Sequence, residues 1–474
     1  MKILVINPPR VDGYPVVREE RYEHKDMGAV YPPLNLLYTA AVLRKEGFTV
    51  SLIDANGFNL SFSEVINIAD NFKPEIIISR IGFDTQKQDL AFLKELKIRY
   101  NSKLILRNKI ISDVDWLKKQ LLTEYTFIDI FVNFEMDDII VDIIKNINNP
   151  EKIRGISYKK DDEIITTEKA EIIKDLDKIP FPAYDMLPNL KPYHTGVLDS
   201  PFATVITSRG CPYQCTFCAY ARMGHRFRSA ENVVAELEWL KKDMGLNSFL
   251  FFDDLIGLKK DVFMETLELM IKKKLNLKWV SCTRANLIHD DMLKLMKKAG
   301  CEEMALGIES GSEKILKDIH KGITLNDIRR AAKLLHKNKI LFYGMAILGL
   351  PGETRETINE TIKFIKEVDP FYTQFTFATP FPNTEIFEYY KTNNLLLTED
   401  WEKYSPLSPA PVIRTKELSA DDLIKLRAYV YRKLILRPGY LLKKIRLFDW
   451  KWNIEGFIKI LGRIKALLLK KMVR

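Results

Sequence analysis

Cys211, Cys215 and Cys218 stand at C-x3-C-x2-C spacing within Ser208-Arg209-Gly210-Cys211-Pro212-Tyr213-Gln214-Cys215-Thr216-Phe217-Cys218, and only Cys282 and Cys301 exist besides them in 474 residues. Three thiols this close cannot make a disulfide framework, because one is left over and a chain of cytoplasmic character keeps them reduced. They read as metal ligands. A closed zinc or iron-sulfur site takes four protein ligands, so a local set of three points to a cluster with one iron open to a substrate or cofactor. The competing arrangement is a zinc knuckle completed by Cys282 or Cys301, yet both lie in apolar runs that read as core.

A chain of this length exceeds one hydrophobic core and predicts two or three domains. No apolar run approaches the ~20 residues that span a bilayer, and Met1 to Ile6 is too short and strand-like for a signal peptide. The expected location is therefore the cytoplasm. The net charge of +10 suggests nucleic acid until it is mapped. Fifteen Lys and Arg against Asp449 and Glu455 give the last fifty residues +13, so residues 1 to 424 carry −3. Basicity is a property of the tail, which argues against a nucleic-acid-binding body.

Strand-like runs at Lys2 to Ile6, Phe48 to Ile53, Glu75 to Ser79, Lys103 to Leu106 and Ile128 to Val132 alternate with helical patterns, which predicts a doubly wound, Rossmann-like α/β domain over about 1–150. A linker over about 151–200 follows, with a hairpin expected in Ile156 to Thr167 about Asp161-Asp162. Its Ile179-Pro180-Phe181-Pro182 stretch breaks regular structure. Over about 201–395, strands at Ala203 to Thr207, Ser248 to Phe252, Trp279 to Cys282, Glu303 to Ile308, Leu341 to Leu348 and Tyr372 to Ala378 make six strand-helix units. Beyond 396 the chain reads as helical. There Ile454, Phe457, Leu461, Ile464 and Leu468 recur at helical spacing among basic residues, as in a helix docked on the core or lying on an anionic membrane surface.

With Phe217 just before the last cysteine, the motif resembles the radical SAM superfamily. The Tyr31 to Tyr38 helix start and the Gly47 to Ala55 stretch are similar to the cobalamin-binding domain that precedes many such cores. This resemblance implies a partial (β/α)6 TIM-type barrel whose three cysteines hold a 4Fe-4S cluster. The open iron would chelate S-adenosylmethionine, whose reductive cleavage yields a 5'-deoxyadenosyl radical. Relatives of the anaerobic Mg-protoporphyrin monomethyl ester cyclase type and of the cobalamin-dependent methyltransferase type suggest oxidative cyclisation or methyl transfer. The implied partners are a small-molecule or lipid-like substrate and a reductant protein of flavodoxin or ferredoxin type.

Carried onto this sequence, the resemblance places Phe217 beside the adenine and Asp253 toward the methionine part. Glu309 and Ser310, in Gly307-Ile308-Glu309-Ser310-Gly311-Ser312, fall at the ribose, and Gly349 near the adenine. Arg284 is suited to a carboxylate, and Arg226 and Arg228 to cluster-bound or substrate anions, with surface salt bridges as their plainer reading. For Asp253-Asp254 the plainer reading is a solvated turn or helix cap. The first domain departs from the cobalamin pattern in two loops, Arg107-Asn108-Lys109 and Asn133-Phe134-Glu135-Met136, and offers no Asp-x-His-x-x-Gly segment; His24 reads as a loop residue. Two other functions are therefore expected as rivals: a radical SAM enzyme whose first domain no longer binds cobalamin, and a non-catalytic metal-stabilised binding protein.

Overall fold

The computed structural model describes residues 1–19, 23–25, 28–195, 197–198, 200–437 and 440. The apolar helix expected between 454 and 472 lies outside them. No described helix is long and apolar enough to cross a membrane.

Ile3, Leu4, Val5 and Ile6 are all fully buried, as a strand covered on both faces requires. Five parallel strands lie in the spatial order Thr49–Asp54, Lys2–Asn7, Ile76–Arg80, Lys103–Arg107 and Ile130–Val132. Alternation along them feeds two cores. Ile3, Val5, Ile76, Ile78 and Ile105 join one core with residues of the helices Leu34–Lys45 and Met136–Lys145. Leu4, Ile6, Ile77, Leu104 and Leu106 turn the other way, into a core shared with Phe62–Phe72, Gln86–Tyr100 and Asp115–Glu124. A fully buried aliphatic side chain contributes about 1.5–3 kcal/mol, so a one-residue slip would misplace both sets and the register is fixed.

The hairpin forms as Ile156–Lys160 and Glu163–Thr166, but it is not linker. It pairs antiparallel with Ile130–Val132 and extends the first sheet to seven strands, past the boundary expected at 150. Sequence shows a hairpin's own register; which sheet edge it joins is a tertiary matter.

Strand order reverses between Lys2–Asn7 and Ile76–Arg80, where doubly wound sheets open a ligand crevice. Here a two-stranded hairpin, Val16–Arg18 with Glu23–Lys25, reaches that point. Arg18 is buried against Asp89 at 2.6 Å and donates to the carbonyls of Pro8 and Pro9. Asn108 Nδ2 donates to Glu23 at 2.7 Å. The crevice is thus roofed by the chain itself.

The second sheet has six parallel strands in chain order: Phe202–Val205, Ser248–Phe251, Lys278–Thr283, Cys301–Glu309, Leu341–Leu348 and Tyr372–Phe377. Sequential parallel strands joined through helices make the open (β/α)6 barrel, and each strand lies within a few residues of its expected position. The two sheets share a core that runs through both. The proline-rich joint ties them: the Ala183 N–H donates to the Leu37 carbonyl at 3.1 Å, and the buried Tyr184 hydroxyl donates to the Thr204 carbonyl at 2.6 Å.

Strand Leu341–Leu348 ends at Gly349, φ +86°, where a Cβ would stand 2.8 Å from Ile413 Cδ1. The Gly349 N–H donates to Glu353, and Tyr390 donates to the Gly349 carbonyl. Complete burial pushes the Glu353 carboxyl up to about 8 against the opposing pull of the Gly349 and Leu350 amides. Between the ordinary carboxyl value and about 8 the folded form then keeps a proton that the unfolded form releases. Stability falls as pH rises through that window, by about 1.4 kcal/mol per pH unit at most. The melting temperature of Glu353→Gln should therefore decline less from pH 5 to 8 than that of the wild type. Equal slopes would mean that Glu353 is ionised throughout.

Candidate functional site

The first barrel strand delivers the chain to Thr207, and an antiparallel ribbon of Ser208–Arg209 with Arg226–Phe227 closes the loop that carries the three cysteines. Gly210 sits at φ +88°, and a Cβ there would stand 2.2 Å from the Gly224 carbonyl oxygen, so only glycine lets the limbs approach. Within the loop, the amides of Arg222 and Met223 donate to the carbonyls of Tyr213 and Cys211, both at 2.9 Å.

All three thiols are free, Cys215 buried and the other two half-buried. Burial pushes the Cys218 thiol up to about 12, with Cys215 and Cys211 adding to the rise, and Cys211 is raised for the same first reason. Among the described residues no three His, Cys, Asp or Glu side chains already form a metal cage. Iron in a thiolate-held cluster binds cysteines as thiolates, so its binding would release the protons that burial retains on Cys211 and Cys218. Cys301 cannot complete such a site, because it opens its strand at the barrel end opposite the cysteine loop.

Beside the loop the structure gathers Arg284, Tyr213, Phe217, Glu309 and Lys321. Arg284 is buried, with Nη1 3.5 Å from Cys215 Sγ and its guanidinium 3.6 Å over the Tyr213 ring, and it donates to the Lys321 carbonyl. Lys321 Nζ lies 2.6 Å from Glu309 Oε1 and 5.8 Å from the Phe217 ring centroid. Glu309 has φ +57°, an uncommon conformation that turns its side chain across Gly307. A Cβ at Gly307 would fall 2.3 Å from Glu309 Oε1 and 2.7 Å from Lys321 Nζ. Lys321 was not anticipated. It follows the short helix Glu313–Asp318, and no periodicity marks it.

Other expected residues turn to the protein itself. Asp253 is fully buried and accepts from the Thr207 amide at 3.0 Å, the Thr207 hydroxyl at 2.8 Å and the Ser208 hydroxyl at 2.6 Å. Burial raises its pKa while these donors pull it down. It holds the entry to the cysteine loop, and Asp254 extends the hold by accepting from the Gly210 amide at 2.8 Å. Ser310 Oγ lies 3.2 Å from Thr361 Oγ1 and accepts from the Ser312 amide. Gly349 is required by packing against Ile413. Arg226 and Arg228 are neither free for anions nor on the surface: Arg226 pairs with Glu135, and Arg228 with the buried Glu236 at 2.5 Å.

A narrow cleft of about 60 Å³ lies between the two units, lined by Asn35, Arg80 and Glu135 from the first and by Arg209, Gly210 and Tyr220 from the second. It opens beside the cysteine loop.

Residues 205–365 match the radical SAM superfamily. Over 471 residues the chain is 34% identical to the uncharacterized methyltransferase PH0819 of Pyrococcus horikoshii, covering 97% of this chain and 98% of that one. The chain belongs to the radical SAM superfamily. This radical SAM enzyme is also 26% identical to the anaerobic magnesium-protoporphyrin IX monomethyl ester cyclase of Cereibacter sphaeroides, over 94% of this chain and 72% of that one. Its fold matches the cobalamin-dependent S-adenosylmethionine radical enzyme OxsB at TM-score 0.72 and 16% identity, over 100% of this chain and 76% of that chain. It matches the radical SAM methyltransferase TsrM of Kitasatospora setae at TM-score 0.67 and 16% identity, covering 92% and 89%.

Replacing Cys211, Cys215 or Cys218 by Ala in this radical SAM enzyme should abolish cluster assembly, because a three-thiolate site has no spare donor. Cys282→Ala should keep it. Iron and sulfide analysis after anaerobic reconstitution reads both outcomes, and equal loss in Cys282→Ala would overturn the ligand set.

Proposed function

We propose that this radical SAM enzyme transfers a methyl group to an unactivated carbon of a small molecule, with a corrinoid held in the cleft between its two units. Cys211, Cys215 and Cys218 would hold the 4Fe-4S cluster, which when reduced supplies the electron that cleaves S-adenosylmethionine. In this reading Glu309 would accept from ribose hydroxyls, Phe217 would flank the adenine, and Arg284 would receive a carboxylate. The observation that carries the reading is the cleft itself. It joins the first unit to the cysteine loop, with Leu34, Met136, Ile206, Met223 and Phe252 as apolar lining and Arg80, Glu135, Asp137, Arg209 and Asp254 as charged lining, and a corrinoid would have to widen it. Among the described residues that line it there is no histidine, and cobalamin would bind without a histidine ligand. We place the first domain over residues 1–166, the barrel over about 201–395 and a C-terminal region beyond it, with a flavodoxin- or ferredoxin-type protein as electron donor.

Oxidative ring formation is the second reading, favoured by the likeness to the cyclase of Cereibacter sphaeroides. Protein made with cobalamin available, purified without oxygen and desalted should retain corrinoid near one equivalent. If corrinoid washes out while 5'-deoxyadenosine is still released, methyl transfer through cobalt is excluded and ring formation takes its place. In the same protein, Glu309→Ala should weaken S-adenosylmethionine binding by roughly ten- to a hundredfold, the loss of one charged hydrogen bond, with the cluster spectrum unchanged. Unchanged affinity in a titration would remove Glu309 from the ribose site.

A further inference from the structure

Arg209 and Arg226 stand directly opposite each other in the ribbon that closes the cysteine loop. Like charges at facing positions of an antiparallel pair repel, and these two side chains are only 12% and 9% exposed, so water does little to screen them. One carboxylate from the other unit lies between them. Glu135 Oε2 accepts from Arg209 Nη1 at 2.6 Å, and Glu135 Oε1 accepts from Arg226 Nη2. Asp137 takes the second arm of Arg209 at 2.7 Å, leaving Glu135 as the group that serves both strands.

The surroundings fix the carboxylate in that role. Glu135 is the residue before the helix Met136–Lys145, whose positive end favours an acid there. The linker adds a second tie, since the Ile173 N–H donates to Asp138 at 3.0 Å while its carbonyl accepts from Arg226 at 2.6 Å. Glu135 also lines the cleft beside Met136, Asp137, Arg209 and Gly210, so whatever fills the cleft lies against it.

We propose that Glu135 is the positioning residue that holds the cysteine ribbon shut, by neutralising the facing pair Arg209 and Arg226 across the boundary between the two units. Through Arg209 it grips the segment two residues before Cys211. The proposal needs no corrinoid. It depends on the radical SAM reading only for its consequence, the placement of the cluster loop.

The test is amide hydrogen exchange of the apo full-length protein, which requires neither iron nor activity. Glu135→Gln should raise exchange of the amides of Gly210, Phe227 and Arg228 by roughly tenfold or more, while the distant barrel strand Leu341–Leu348 keeps its protection. Removing the facing charge as well, in Glu135→Gln/Arg226→Met, should restore protection, because two apolar-compatible strands no longer repel. A purely steric role for Glu135 would not be rescued that way. After anaerobic reconstitution the single variant should show reduced iron content or an altered electron paramagnetic resonance signal, and the double variant should recover it. Exchange unchanged in the single variant overturns the proposal. So does failure of the double variant to regain protection, including the case in which both variants fail to fold.

Discussion

Four consecutive residues, Thr207 to Gly210, are each gripped by a carboxylate, and the acids come from both sheets. Asp253 and Asp254, at the end of the second barrel strand, hold Thr207, Ser208 and Gly210; Glu135 and Asp137, at a helix start of the first unit, hold Arg209. Charged hydrogen bonds are worth about 1.5–3 kcal/mol each, but burying the acids costs free energy of the same order, so little net stability results. What remains is direction. Each bond has one geometry, and together they fix where the chain enters the loop of Cys211, Cys215 and Cys218. Gly210 completes the fixing, since its left-handed conformation and the Gly224 carbonyl 2.2 Å from a hypothetical Cβ exclude any side chain.

The first unit answers the same need from the other side of the cleft. Its sheet reverses order at the place where such sheets bind ligands, yet Arg18 and Asp89 close that place as a buried pair. Breaking one partner of such a pair typically costs about 3–5 kcal/mol, so a ligand does not displace it cheaply. The open cleft lies instead at the boundary with the barrel, beside the cysteine loop. The shared apolar core and the Tyr184 and Ala183 bonds hold the two halves of that boundary in register.

What the sequence disclosed follows from how local each signal is. The cysteine spacing, the six barrel strands and the hairpin about Asp161-Asp162 are short-range patterns, and each has its counterpart in the structure. The contacts of Asp253, Gly349, Arg226 and Arg228 depend on what stands opposite them, which no local pattern shows. Asp253 looks like a free strand-end acid until Thr207 and Ser208 fold back on it. Gly349 looks like a ligand turn until Ile413, sixty-four residues later in the chain, packs on it. The hairpin Val16–Arg18 with Glu23–Lys25 was invisible for another reason, as three-residue strands are too short to show alternation. Lys321 was missed because its partner Glu309 is reached only through a left-handed backbone turn.

Charge balance near Cys215 carries the reading one step further. Arg284 and Lys321 bring two positive charges to a buried place, and Glu309 answers the lysine at 2.6 Å. The groups that Arg284 meets beside it are a thiol, an aromatic face, a carbonyl and the Asn286 side-chain amide, none of them a carboxylate. A buried guanidinium so placed is costly until an anion arrives. Thiolates around an iron-sulfur core would supply negative charge on the Cys215 side, and the carboxylate of a bound methionine moiety would supply it on the open side. The same arginine therefore disfavours an empty pocket and favours a filled one. Stacking on Tyr213 keeps its fork in one orientation, so the preference is for an anion at a particular edge of the loop and not merely for charge nearby.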